Sequence, residues 1–283
     1  MRCLHMINHR FPCGQCMACR INKQMEKALR ITHELQYHKD NVFVTLTYDD
    51  EHMPSNRSLV KSDVQKFMKR VRKYLGYDRV RYFLSGEYGD EYFRPHYHLI
   101  IFGLGMRDRR LFSDLRYVAS KDVWYCKCKA WNKGFVSVAT VNDFRVAYVA
   151  KYLLKKITGE MAKEHYGERL PEFQLCSRNP GIGYQYMVDH AYRLKQDDYC
   201  SVRGKKRPLP RYYIDKLFDV IGKLVRSEKR NQHIEECLDK DHDVFDDIGA
   251  FAYARLQKDR EEARALKLGQ KIQRKEGTKC PIK

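Results

Sequence analysis

The stretch Arg94-Pro95-His96-Tyr97-His98-Leu99-Ile100-Ile101-Phe102 decides how the rest of the chain is read. It sets two histidines at i and i+2 ahead of an apolar run that ends at Gly103. Side chains alternate faces along a β-strand, so His96 and His98 point the same way. Two imidazoles on one face can grip a single metal ion. A chance pair on a solvated strand has the same spacing, so the surrounding residues must separate the two readings.

Upstream lies Ser85-Gly86-Glu87-Tyr88-Gly89-Asp90, with Glu87 at the end of a predicted strand, 80–84. A hairpin from that strand to the 96–102 strand brings the Glu87 carboxylate beside the imidazoles. Two neutral nitrogens and one carboxylate make a facial set that leaves open positions on a divalent ion, where a phosphate oxygen can bind. Asp90 and Glu91 are rival third ligands, and Glu87 is preferred for its place at the strand end.

Downstream, Tyr148-Val149-Ala150-Lys151-Tyr152 sits in a predicted helix over 142–157. Tyrosines at i and i+4 share one helical face. The apolar stripe of this helix is Val146, Val149, Ala150, Leu153 and Ile157. At about 100° per residue, both tyrosines fall nearly opposite it, beside Arg145, Lys151 and Lys155. Core packing would put the rings on the stripe. Two readings remain, a base-stacking platform and a pair of phenolic nucleophiles, the latter activated by Lys151 and a nearby metal.

The same pattern reading extends outward. Strands are expected at 42–48 and 134–141, and helices at 20–37 and 61–75. The second of these carries the stripe Val64, Phe67, Met68, Val71 and Leu75, with Ser62 as its cap and Gly76 as its end. A short helix is expected at 108–118. A turn-rich loop at 177–183 leads to a helix. A proline-extended basic segment covers 203–211, and a long charged helix covers 245–275. The fold class expected is α+β, a mostly antiparallel sheet backed by helices. The domain division expected is a cysteine-rich segment and helix at 1–38, a core at 39–160, and a basic, largely helical region at 161–283.

Composition narrows the partners. The 283 residues carry 55 Lys+Arg against 36 Asp+Glu, a net charge of +19, with 20 tyrosines and 13 phenylalanines. Lys and Arg neutralise phosphates while aromatic rings stack on bases, so the mixture suits nucleic acid. No apolar run reaches the length of about 18 residues that a membrane span needs, and the first ten residues do not read as a signal peptide. The ten cysteines are then expected to be reduced or metal-bound rather than oxidised. Cys13, Cys16 and Cys19 have knuckle spacing, and Cys3 completes four thiolates. His5 and His9 are substitutes, and zinc, an iron–sulfur cluster and uncoordinated thiols are the occupancies weighed. Cys126 and Cys128 are read as unbound thiols.

The apolar-His-x-His-apolar motif, the upstream glutamate and the Y-x-x-K-Y helix resemble the HUH endonuclease superfamily of rolling-circle replication initiators. Pro12-Cys13-Gly14-Gln15-Cys16-Met17-Ala18-Cys19-Arg20, Phe43-Val44-Thr45-Leu46-Thr47-Tyr48 and Gly86-Glu87-Tyr88-Gly89 precede Arg94 to His98 and then Tyr148 to Tyr152. In this order they are similar to the replication initiation proteins of microviruses, in particular the gokushovirus branch. One departure is that Arg94-Pro95, not an apolar strand, precedes His96.

The resemblance implies an HUH-type core that nicks one strand of a phage origin. A tyrosine becomes linked to the 5′-phosphate, a 3′-hydroxyl is released, and the ends are later rejoined into a circle. It implies Glu87, His96 and His98 as ligands of Mg²⁺ or Mn²⁺, Tyr148 and Tyr152 as nucleophiles, and Lys151 as a positioning group. Thr45, Thr47, Arg94, Lys205, Lys206 and Arg207 are candidate DNA contacts. Partners are then phage origin DNA and, since no Walker-type phosphate loop is present, a host helicase with the host replication machinery. The compartment is the bacterial cytoplasm, with no membrane. A non-catalytic, zinc-stabilised single-strand-binding protein and an HUH transposase or relaxase are the alternative functions.

Overall fold

The computed structural model describes residues 12–76, 80–89, 93–151, 157, 161–202 and 204–226, with isolated positions beyond. The chain forms two compact units, one over Gly14–Tyr213 and one from 2–13 with Ile214–Lys283. The first holds helix α1 (Met17–Leu35), β1 (Asn41–Tyr48), α2 (Lys61–Leu75), β2 (Arg81–Tyr88), β3 (Pro95–Phe102), β4 (Phe112–Val118), β5 (Val123–Cys128) and β6 (Gly134–Thr140). It continues with α3 (Asp143–Lys151), α4 (Met161–Tyr166), β7 (Phe173–Cys176), α5 (Tyr184–Asp189), α6 (Ala191–Asp197), β8 (Tyr199–Val202) and β9 (Lys205–Pro208). The fold is α+β, as expected.

A seven-stranded antiparallel sheet runs β4-β5-β6-β1-β3-β2-β7. Its two faces follow from strict alternation in β1. Val42, Val44, Leu46 and Tyr48 join Leu84, Tyr97, Leu99, Ile101, Val136 and Val138 in one core cluster. The α2 stripe Val64, Phe67, Met68, Val71 and Leu75 is buried in the same cluster, as its spacing predicts. The helix starts at Lys61, and Ser62 does not cap it: Val60 is the N-cap and no side chain serves it. The buried Tyr97 hydroxyl meets this end instead, accepting from Val60 N at 2.7 Å.

Three sequence expectations change. The 108–118 segment is not a helix; Phe112–Val118 is strand β4. Leu111, Leu115 and Val118 have helical i, i+4, i+7 spacing. A bulge between Ser113 and Arg116, with Asp114 at φ 55°, shifts a period-2 strand into that apparent period. The basic 203–211 segment contains β9 of a β8–β9 hairpin that forms its own two-stranded sheet. The 142–157 helix is described only as Asp143–Lys151. Tyr152, Lys155 and most of the charged 245–275 stretch lie outside the described residues, as do Cys3, His5, His9, Asp90 and Glu91. Among the described residues, no helix is long and apolar enough to cross a membrane.

Candidate active site

The second face of the sheet is apolar at one end and polar at the other. Phe43, Phe83, Ile100 and Ala139 are buried at the apolar end. At the polar end, strand register sets Glu87 opposite His96, and His96 opposite Thr47. One step inward, Ser85, His98 and Thr45 stand in the next row. Directly paired residues project to the same side, so both rows share this face. Helix α3 lies against β2 and β3 here. Ser85 helps seat it, donating from its hydroxyl to Val149 O at 2.8 Å.

Burial makes each polar contact count, because an unmet polar group away from water is costly. Glu87, His98 and Thr45 are 5%, 2% and 3% exposed. His98 Nε2 meets Glu87 Oε1 at 2.7 Å, and His98 Nδ1 meets Thr45 Oγ1 at 3.0 Å. The Tyr148 hydroxyl donates to the same Glu87 Oε1 at 3.3 Å. Its ring stands edge-on to His98, centroids 5.1 Å apart, and also borders Phe43 and Phe144. The imidazoles of His96 and His98 are nearly parallel, 6.3 Å apart. His96 Nδ1 is buried and makes no hydrogen bond among the described residues. Burial, reinforced by His98, pushes His96 down to about 4, so the ring is neutral near pH 7, the form that donates a lone pair to a metal. Gly89 closes the turn against it: a Cβ there would come within 3.2 Å of His96 Cε1.

The donor set of two imidazoles and a carboxylate therefore fits a divalent ion in chemistry and protonation. Its spacing is loose. Among the described residues, Cys13, Cys16 and Cys19 are the group whose donor atoms all lie within 4.8 Å of one another. Those three sulfurs form a cluster able to hold a metal ion. Cys126 and Cys128 differ: burial pushes their thiols up to about 12 and about 11, which favours the inert protonated form.

The other candidate residues fall at varied distances from this centre. Thr45 is buried with its hydroxyl on His98, and Thr47 is half-buried in the His96 row. Arg94 donates to Tyr48 O at 2.8 Å and pairs with Asp50, so it ties the end of β1 to the start of β3. Lys205, Lys206 and Arg207 lie on β9, in the separate sheet. Lys151 ends α3. Arg145, expected to lend Tyr148 a cationic setting, is buried. Its guanidinium turns to Asp122 at 3.0 Å and to Thr140 O at 3.0 Å, because a buried charge must find partners. The Thr45–His98 bond had one signal in the sequence, the parity that places Thr45 and Thr47 on one strand face.

Residues 41–157, from β1 through α3, match the family model for replication-associated proteins of the ORF2 type. Replication-associated protein VP4 of Bdellovibrio phage phiMH2K is 32% identical over 217 residues, covering 72% of this chain and 66% of that protein. Replication-associated protein ORF2 of Spiroplasma virus 4 is 31% identical over 226 residues, covering 76% of this chain and 68% of that protein. The chain belongs to the replication-associated proteins of microvirus-type phages. Replication-associated protein ORF4 of Chlamydia phage 1 is also similar, 28% identical over 221 residues, covering 75% of this chain and 54% of that protein. The chain spans about two thirds of the length of the first two relatives and about half of the third. No solved structure matches it. For this replication-associated protein, the family-model match contains both rows of the polar face and Tyr148.

Proposed function

We propose that this replication-associated protein is a rolling-circle initiator of the HUH type that nicks one strand of the phage origin and later rejoins it. The observation that carries the reading is the Tyr148 hydroxyl 3.3 Å from a Glu87 oxygen that also meets His98. A nucleophile stands beside a carboxylate–imidazole donor set, on a chain of charge +19. Glu87, His96 and His98 would hold Mg²⁺ or Mn²⁺, which supplies polarisation of the scissile phosphoryl group and neutralisation of developing charge.

The remaining chemistry belongs to the chain. A tyrosine, Tyr148 or Tyr152, gives up its phenolic proton, and its oxygen attacks the scissile phosphorus. The bond from phosphorus to the 3′-oxygen breaks, and that oxygen leaves as a 3′-hydroxyl after taking a proton. The 5′-phosphate stays on the tyrosine. In the return step a 3′-hydroxyl attacks the phosphotyrosine, the phosphodiester re-forms and the phenol is released. The bond energy is conserved, so joining needs no ATP. Two tyrosines allow one to hold the first end while the other cuts again, and Lys151 positions a phosphate or the phenolate. A host helicase would unwind the duplex. Cys13, Cys16 and Cys19, with Cys3 as fourth thiolate, would hold a structural zinc.

The test is a nicking assay on labelled single-stranded DNA tiled across the phage origin, with Mn²⁺ or Mg²⁺. Wild type is run beside Tyr148→Phe, Tyr152→Phe, the double variant, His96→Ala and an EDTA control. The expected result is a denaturant-resistant protein–DNA adduct that is absent from the double variant, His96→Ala and EDTA lanes. Tight origin binding with no adduct under either metal would overturn the proposal in favour of a binding protein.

A further inference from the structure

The two polar rows continue past the metal-binding candidates onto β6, β5 and β4. Glu87, His96, Thr47 and Phe135 stand side by side across β2, β3, β1 and β6. The inner row runs on from His98 and Thr45 through Ser137 to Tyr125 on β5 and Arg116 on β4. Phe135 is 59% exposed, on the same face as His96 and two strands away. At ordinary strand spacing that is about 10 Å. Tyr125 is half-buried, with the Lys121 ammonium 5.9 Å from its ring centroid. Arg116 is exposed at the far end of the row.

A lone exposed phenylalanine needs no explanation. One that ends a row of two metal-binding candidates and a threonine has a definite neighbour. The chemistry that fits an open ring, followed outward by an aromatic–cation pair and an arginine, is a single strand of nucleic acid: bases stack on the rings and phosphates meet the cations. A duplex hides its base faces and does not fit an upright ring. The net charge of +19 supplies the complementary field.

We infer that Phe135 is a stacking residue that seats an unpaired base one or two nucleotides from the scissile phosphate. The strand then leaves across β5 and β4, over Tyr125 toward Arg116. The inference rests on the nicking reading for the identity of the reacting row, and its test is run without cleavage so that the two can fail separately. Oligodeoxythymidylate carrying 5-iodouracil is bound in EDTA, irradiated and mapped by peptide mass spectrometry, with affinity measured in parallel. Wild type is expected to crosslink at Phe135. Phe135→Ala is expected to weaken binding about tenfold, and Phe135→Trp to restore it. Melting curves check that both variants fold.

Crosslinks confined to other peptides, with Phe135→Ala binding within about twofold of wild type, would overturn the stacking role and leave nicking untouched. A Phe135 crosslink in a protein that forms no tyrosine adduct on origin DNA would support the stacking role and overturn nicking. Failure of the wild type to bind the oligonucleotide would overturn both.

Discussion

Tyr148 and His98 converge on one atom: the tyrosine hydroxyl lies 3.3 Å, and the imidazole Nε2 2.7 Å, from Oε1 of Glu87. Glu87 is 5% exposed, so its charge is screened little by water and is felt by both neighbours. One carboxylate oxygen thus links the group proposed to attack with a group proposed to hold the metal. Glu87→Gln keeps the shape of the side chain and removes the charge. Nicking is expected to fall on the order of 100-fold, with a weaker response to added Mn²⁺. A titration of Mn²⁺ against initial nicking rate checks this. An unchanged rate and unchanged metal dependence would remove Glu87 from the site.

Tyr97 and His98 are adjacent in sequence and are expected to fail in different ways. Tyr97 points into the α2 core, where its hydroxyl meets Tyr48 Oη at 2.9 Å and Val60 N at 2.7 Å. Tyr48 in turn donates to Asp63 at 2.8 Å. Tyr97→Phe leaves the Val60 N–H and part of this network unmet, at a cost of about 1–3 kcal/mol. Chemical denaturation is expected to show that loss while nicking per folded molecule stays at the wild-type level. His98→Ala is expected to abolish nicking. A large activity loss in Tyr97→Phe without a stability loss would contradict this division of the two faces.

The division explains what the sequence could convey. Strand alternation alone placed His96 and His98 together, and a short hairpin brought Glu87 to them, because register in an antiparallel pair is fixed once one face is apolar. The Arg145 guanidinium could not be placed from its helical angle. Asp122, its partner, is 23 residues away in the chain and reaches it only through the β5 end. β4 was disguised by its bulge, and β7, four residues long, carries too few positions to show a period. Long-range pairing is what local pattern omits, and the Thr45–His98 bond is of that kind.

Gly134 fixes the start of β6 against the end of β1. Its φ is +135°, and a Cβ there would lie 2.3 Å from Asp49 N and 2.5 Å from Thr47 O. Both contacts are backbone, so neither can swing away. Gly134→Ala is expected to destabilise the fold by at least about 2 kcal/mol, through strain and a forced shift of the Thr47–Phe135 pair. A denaturant midpoint equal to wild type would show that β6 can move aside freely.

His33 is expected to give folding a pH dependence separate from the active site. It is fully buried, its Nδ1 meets Tyr213 Oη at 2.9 Å, and its ring stacks on Tyr186, which stacks in turn on His190. Burial, with His190 adding to it, pushes the imidazole down from 6.5 to about 4. Above the unfolded value the ring is neutral in both states and contributes no slope. Between the two values only the unfolded chain takes the proton, so stability falls as pH drops and levels off below about 4, by about 3 kcal/mol at most. His33→Phe leaves the Tyr213 hydroxyl without this partner and lowers stability near neutrality by about 1 kcal/mol. It also flattens the decline between about pH 7 and about pH 4.5. Urea midpoints of both proteins across that range test this, and parallel declines would show that His33 does not titrate with unfolding.

Thr45 is expected to act through His98 rather than on DNA directly. Its hydroxyl is 3.0 Å from His98 Nδ1, and it is buried. When Nδ1–H donates to Thr45 Oγ1, Nε2 presents its lone pair beside the Glu87 carboxylate, the tautomer a metal requires. Thr45→Val keeps the shape and β-branching of the side chain but removes the acceptor. It is expected to weaken Mn²⁺ binding roughly 10- to 100-fold with little change in fold. Thr45→Ser retains the hydroxyl and is expected to recover most of the affinity. Calorimetric titration of Mn²⁺ into the three proteins measures this without relying on nicking. If Val and Ser weaken binding equally, the lost methyl packing matters rather than the hydrogen bond. If neither does, His98 holds its orientation without Thr45, and the ring contacts with Phe43 and Tyr148 are sufficient to fix it.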